Sequence, residues 1–293
     1  MTLIEIVEAS SARLQEAGVC FGHGTYNAFD EAVWLVLWRL GLPLDELDGV
    51  AARPLSEEDV GRVQALVDER IHSRKPAAYL TREAWLQGVP FYIDERAIVP
   101  RSLIAEVLAE GLIDAWLGGE PGGAPNTVLD LCTGNGSLAV LAALAWPQAH
   151  VDAADLSADA LAVARINLDQ HELGTRITLH LGDGLAAVGV HRYDLILCNP
   201  PYVNAQSMAA LPPEFLAEPG MALHGGSDGM DFIRGLLASA ADHLNEGGAL
   251  VLEVGHEREN FDAAFPQLDA IWLPTSGGDD QVLLLTRSAL LGL

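Results

Sequence analysis

The chain is poor in positive charge. Against 41 Asp and Glu it carries 16 Lys and Arg, a formal net charge of -25 with a pI near 4.4. Such a chain repels phosphate backbones unless its basic residues are gathered in one place, and here they are spread along the sequence. Free nucleic acid is therefore disfavoured as a partner, and a basic protein is favoured. Cysteine is scarce as well. Cys20, Cys132 and Cys198 lie far apart and form no CxxC pair, which argues against a disulfide framework or a structural zinc site and fits a reducing cytoplasm. No apolar run approaches the ~20 residues that span a bilayer. The segment 1–5 lacks the basic stretch of a secretory signal. A cytoplasmic chain with no membrane and no metal is expected.

Half of the 293 residues are hydrophobic, so a sizeable core is available. Residues 1–83 read as a small helical domain. Helices are expected over 3–17, over 30–40 with Val33, Trp34, Leu37 and Trp38 on one face, and from Ser56, which can cap with Asp59 three residues on. Residues 84–125 read as a linking unit: a β-hairpin turning at Asp94-Glu95-Arg96, a helix over 103–117, and a Gly/Pro-rich run over 118–126 that marks the fold boundary. From 126 to 293 strands and helices alternate, including a helix over 230–244, and two closely spaced strands at 271–273 and 281–285 finish the chain. That alternation specifies a doubly wound α/β fold, a mostly parallel sheet closed by an antiparallel strand pair.

Asn199-Pro200-Pro201-Tyr202 follows an apolar run over 193–198 that reads as a buried parallel strand. Neither proline has an N–H to donate, so the chain must leave the sheet rigidly at the strand's carboxyl end, where open α/β sheets bind ligands. The Asn199 amide and the flat Tyr202 ring suit a planar, neutral, hydrogen-bonding group such as a carboxamide or a nucleobase amine. Asp130-Leu131-Cys132-Thr133-Gly134-Asn135-Gly136 joins the first strand of the alternating region to its helix. Its glycines permit close backbone approach. It lacks the third glycine of a dinucleotide loop and the Gly-Lys-Ser/Thr of a P-loop. Asp130 would repel a phosphate and attract an ammonium or sulfonium. Asp155 and Asp183 each follow a strand, at the positions of a ribose diol and an adenine edge. Cys132 and Cys198 lack an evident activating base and read as packing residues.

These motifs resemble those of class I S-adenosylmethionine-dependent methyltransferases, and more narrowly the protein glutamine-N5 methyltransferases. The 130–136 loop is similar to their cofactor loop, with cysteine in place of a common glycine, and Asn-Pro-Pro-Tyr matches their substrate motif in full. The helical region, the hairpin and Val99-Pro100-Arg101 extend the resemblance along nearly the whole chain. Peptide-chain release-factor methyltransferases usually continue Pro-Arg with Pro-Asp/Glu-Thr-Glu. Here Ser102-Leu103-Ile104-Ala105-Glu106 follows, which is similar to the group acting on large-subunit ribosomal protein L-three. The resemblance implies a Rossmann-like class I methyltransferase domain over 126–293. It implies S-adenosylmethionine as cofactor, with S-adenosylhomocysteine as product, held by Asp130, Cys132, Thr133, Gly134, Asn135, Gly136, Asp155, Asp183, Gly184 and Asn199. Asn199, Pro200, Pro201 and Tyr202 are expected to bind the substrate glutamine, with Asn199, Pro200 and Tyr202 catalytic. Arg101 is a candidate cofactor or substrate contact. Glutamine methylation of release factors is the alternative. An adenine N6-methyltransferase and a non-enzymatic ribosome-assembly factor are more remote.

Overall fold

The computed structural model describes residues 1–117 and 123–292. Most of the Gly/Pro-rich run expected as a linker, 118–122, lies outside the described residues.

The N-terminal helices span Leu3–Glu16, Ala28–Leu40 and Glu57–Ser73. Each begins where a side chain satisfies a free backbone N–H of the first turn. Thr2 forms a capping box with Glu5, Asn27 accepts from the Asp30 N–H, and Ser56 accepts from the Asp59 N–H. The helix Ala28–Leu40 buries Ala32, Trp34, Leu35, Val36 and Leu37, leaving Val33 and Trp38 half-buried. It packs against both of its neighbours, so its covered arc is wider than, and rotated from, the single face read from spacing.

The hairpin consists of β1 (Ala84–Leu86) and β2 (Val89–Phe91). It turns at Gln87-Gly88, both at positive φ (50° and 73°), and not at residues 94–96. A two-residue loop with both φ positive matches the twist of the strands it joins. Asp94 makes a separate turn, in which its carboxylate takes the Arg96 backbone N–H and guanidinium. The helix expected over 103–117 is short, Ile104–Ala109, because Gly111 takes φ 64° and the chain restarts as a 3-10 turn at Asp114–Trp116.

Seven strands form the main sheet: β3 (Thr127–Leu131), β4 (His150–Asp155), β5 (Ile177–Leu181), β6 (Tyr193–Cys198), β7 (Leu244–Glu253), β8 (Ile271–Thr275) and β9 (Gly278–Thr286). Their order is β5-β4-β3-β6-β7-β9-β8, parallel as far as β7, with β9 antiparallel to both neighbours. The chain runs outward from β3 to β5 and returns to β6 on the other side of β3. That reversal opens a crevice at the carboxyl ends of β3 and β6. The register pairs Leu131 with Cys198, so the loops at 132–136 and 199–202 leave the sheet side by side.

Alternate residues feed the two faces. Val128, Leu195, Leu197 and Val251 pack beneath the helix Ser137–Ala145, while Leu129, Leu131, Ile196 and Leu252 pack on the opposite side with the helix Asp231–Leu237. That second helix is shorter than the 230–244 expected. It gives way to a 3-10 turn at Ala240–His243, and β7 begins at Leu244. The helical region's core continues through Ile93, Ala97 and Val99 to Ala160 and Val163 of the helix Ala158–Gln170.

Candidate active site

The loop after β3 is shaped by backbone that side chains rarely adopt. Cys132, Gly134 and Gly136 have φ of 61°, 56° and 81°. Cysteine at 132 therefore bears a strain that glycine would not. Gly136 is also closely packed, since a β-carbon there would stand 3.1 Å from the Ala164 Cβ. Around Gly134 there is open space on the cleft side, and its N–H donates to Asp155 Oδ2 at 2.8 Å.

Behind this loop lie residues expected to touch the cofactor directly. Asp130 is fully buried, and its Oδ2 accepts from the Thr133 hydroxyl at 2.5 Å and the Ala139 N–H at 2.9 Å. It braces the loop against the start of the following helix instead of lining the cleft. Its Oδ1 is buried without a partner, and burial pushes the carboxyl up to about 7. Thr133 is spent on Asp130, and Asn135 accepts from the Ser137 N–H while donating to the Ile98 carbonyl at 2.8 Å. Asp130, Thr133, Asn135 and Gly136 thus set the loop's shape from behind.

Two of the clefts formed by the described residues meet at Asn199. The first is lined by Cys132, Gly134, Asp155, Asp183, Gly184 and Phe232, among others. Asp155 sits at the end of β4, where its Oδ1 accepts from the Ser157 N–H at 2.8 Å, and burial raises its carboxyl. Asp183 precedes a 3-10 turn that it does not cap with its side chain, which leaves its carboxylate to the cleft. Arg96, the cation in the first cleft's wall, is paired with Asp94 at 2.7 Å. Two carboxylates and a paired cation form a wall unsuited to phosphate and suited to hydroxyls, amines and cations.

The second cleft is lined by Gly22, Tyr26, Arg101, Pro200, Tyr202, Phe215 and Glu253, among others. Ile98, Asn199 and Ala222 line both clefts, and Pro201 lines the first. Asn199 therefore stands at the junction of the first cleft and a second, wider one. Arg101 belongs to the second cleft. Its guanidinium grips Glu218 in a two-pronged pair at 2.6 and 2.7 Å and lies over the Phe215 ring.

Sequence reasoning missed three acids. Glu253 ends β7 and obeys the strand-end rule that singles out Asp155 and Asp183, so it was within reach. Glu214 and Glu218 were not, because they sit in and just after the single-turn helix Pro213–Leu216, too short to give a periodic signal. Both side chains are fully buried. Glu214 accepts from the Cys20 N–H and pairs with Arg70 and Arg74; Glu218 accepts from the Val99 N–H and pairs with Arg101 and His23. Burial alone would raise the Glu218 carboxyl; Arg101, with His23, overrides it and holds it down at about 2. These pairs strap the segment after Tyr202 to the helical region.

A family model described as methyltransferase small domain matches residues 120–227. Over 99% of its length the chain is 51% identical to the ribosomal protein uL3 glutamine methyltransferase of Burkholderia pseudomallei, covering 95% of that protein. The enzyme of the same name from Bordetella pertussis is likewise 51% identical, with 99% and 96% covered. That of Neisseria gonorrhoeae is 47% identical, with 99% and 96% covered. Among solved structures, the hMettl16 catalytic domain in complex with a 3′UTR hairpin superposes with a TM-score of 0.51 at 12% identity over 79% of this chain and 81% of that one. At that identity the match shows a shared fold.

Proposed function

The chain belongs to the ribosomal protein uL3 glutamine methyltransferase family, and we propose from that premise how its residues carry out the reaction: methyl transfer from S-adenosylmethionine to the side-chain amide nitrogen of a glutamine in uL3. The observation that carries this reading is the position of Asn199, which lines both clefts at their junction. The first cleft fits an adenosyl group. In this reading Asp155 holds the ribose diol and Asp183 the adenine amine, with Gly184 beside them. Cys132 and Gly134 leave room at the methionine end. The bound cofactor supplies a methyl group on a sulfonium, and S-adenosylhomocysteine is what remains.

The chain's own task is orientation. An amide nitrogen is a poor nucleophile because its lone pair is delocalised into the carbonyl, and it is not usefully deprotonated near neutral pH. The site must therefore act by placement and electrostatics. The Asn199 side-chain carbonyl and the Pro200 backbone carbonyl accept the two amide hydrogens. They thereby aim the nitrogen at the first cleft and favour the positive charge that develops on it. Pro201 keeps the turn rigid and Tyr202 packs on the amide plane. Arg101, held by Glu218, forms part of the second cleft's wall and serves the substrate side. No residue is required as a strong base, since the product's extra proton is acidic enough to pass to water.

The substrate fits the chain's acidity, because a basic ribosomal protein is attracted by a net charge of -25. No helix of the described residues is long and apolar enough to cross a membrane, and a cytoplasmic enzyme acting beside the ribosome is the proposed setting. Incubation with labelled cofactor and, separately, uL3, a release factor and DNA tests the reading. Label is expected on a glutamine of uL3; label on the release factor or DNA alone would refute it.

A further inference from the structure

Glu253 is 4% exposed, yet it lines the substrate cleft. The hydrogen bonds it accepts come from two separate parts of the site. Oε1 accepts from the Tyr202 hydroxyl at 3.1 Å, and Oε2 accepts from the Ser102 hydroxyl at 2.5 Å and the Leu103 N–H at 2.9 Å. One carboxylate thus ties the Asn-Pro-Pro-Tyr turn to the connector that carries Arg101, and the central strand β7 is its rigid mount. Gly255, two residues on, clears space for the same ring. It has φ +54°, and a β-carbon there would stand 2.5 Å from Tyr202 Cε2. The ring is held at its hydroxyl and along its edge.

Keeping an acid here has a cost. Burial pushes the Glu253 carboxyl up, against the Ser102, Tyr202 and Leu103 hydrogen bonds that pull it down. Well-packed apolar residues commonly equal or exceed a buried charge in stability. A buried carboxyl group mounted between two parts of the substrate cleft is better explained by what it holds in place.

We propose that Glu253 is a positioning residue for methyl transfer, acting through Tyr202 to hold its ring against the substrate amide. This rests on the placement of that amide between Asn199 and Tyr202 argued above. Glu253→Gln keeps the shape but has one acceptor oxygen. The Leu103 N–H claims that oxygen, so the amide NH2 faces Tyr202, and the hydroxyl must accept where it had donated.

The test measures kcat, KM for uL3, cofactor affinity and melting temperature for wild type, Glu253→Gln, Tyr202→Phe and the double variant. Each single change is expected to lower kcat about tenfold, with KM and cofactor affinity within about twofold, and the double is expected to be no slower than the slower single. Wild-type kcat in Glu253→Gln beside a slow Tyr202→Phe, or single effects that multiply in the double, would overturn the proposal alone. Wild-type kcat in Tyr202→Phe, which keeps the ring and loses only the hydroxyl, would overturn the proposal and leave the placement of the ring standing. Gly255→Ala crowds the ring without touching the carboxylate, and keeps the test open if Glu253→Gln does not fold. A kcat below wild type is expected, and wild-type kcat would remove the need for a fixed ring.

Discussion

Gly225 lies against the backbone of Tyr202: a β-carbon at 225 would stand 2.7 Å from the Tyr202 Cα and 2.8 Å from the Pro201 carbonyl oxygen. Neither is the flexible end of a side chain, so neither can move aside cheaply. The contact is reinforced by a short parallel bridge, in which the Val203 N–H donates to Leu223 and the Gly225 N–H to Val203, both at 2.9 Å. Gly225→Ala is expected to displace the Asn199–Tyr202 turn and to destabilise the protein by about 1–3 kcal/mol, the usual range for overpacking. Urea unfolding together with a methylation assay checks this. Wild-type stability and rate would show that the turn does not depend on this contact.

Asp155 is expected to set cofactor affinity. Asp155→Ala removes charge-assisted hydrogen bonds to the ribose diol, about 1.5–3 kcal/mol. It also releases the N–H groups of Gly134 and Ser157 that the carboxylate now holds. Asp155→Asn is intermediate, since it loses the charge but keeps an acceptor oxygen for one of the two N–H groups. Calorimetric binding of S-adenosylhomocysteine should weaken in the order wild type, Asn, Ala. Equal affinity in all three would move the ribose elsewhere.

Asp130 makes stability depend on pH in a defined direction. Its folded-state value of about 7 lies above the ordinary 3.8, so the folded chain holds this proton more tightly than the unfolded chain does. The stability gained is complete below the lower value and is lost as pH rises through the upper one. Asp130→Asn mimics the protonated form and keeps an acceptor for Thr133 and Ala139. Between pH 6 and 8 the wild type should lose about 1 kcal/mol more than the Asn variant, in denaturant titrations without cofactor. Parallel pH profiles would mean that the buried carboxylate is not neutralised.

Tyr26 projects from the helical region, 89% exposed, while lining the substrate cleft. An exposed aromatic there suits contact with a protein partner. Tyr26→Ala should weaken uL3 binding by about 1–2 kcal/mol, seen as a raised KM with kcat nearly kept. Association of the two proteins should also slow as salt rises, since the acidic chain attracts a basic one. A rate constant for association that is insensitive to salt would contradict the electrostatic part.

Much of this was readable before the fold was known, for physical reasons that differ between residues. The strand β6 is marked by its apolar run and its exit by the covalent constraint of two prolines, so the turn at Asn199–Tyr202 was legible. Ser56 and Asp59 were legible as a cap because the spacing is local. The hairpin was misplaced because Asp94-Glu95-Arg96 has turn-like composition, whereas Gln87 carries no such mark although it takes φ 50°. Asp130 was assigned to the cofactor by its charge and its place in the 130–136 loop; the Thr133 and Ala139 hydrogen bonds turn it away from the cleft. Glu214 and Glu218 find their arginines across more than a hundred residues, and no spacing in a single sequence announces such pairs.

The most direct test of the mechanism is the methylation rate of Asn199→Ala on uL3, measured beside its affinity for S-adenosylhomocysteine. Loss of one well-placed polar contact in a transition state costs ~10²–10³ in turnover, and cofactor affinity should change far less, because the residues proposed to hold the cofactor lie mainly after β3, β4 and β5. Asn199→Asp keeps an acceptor oxygen but adds a charge beside the sulfonium that favours the ground state, so it should fall between wild type and the Ala variant. Asn199→Ala turning over uL3 at the wild-type rate would contradict the account, reducing Asn-Pro-Pro-Tyr to a structural turn.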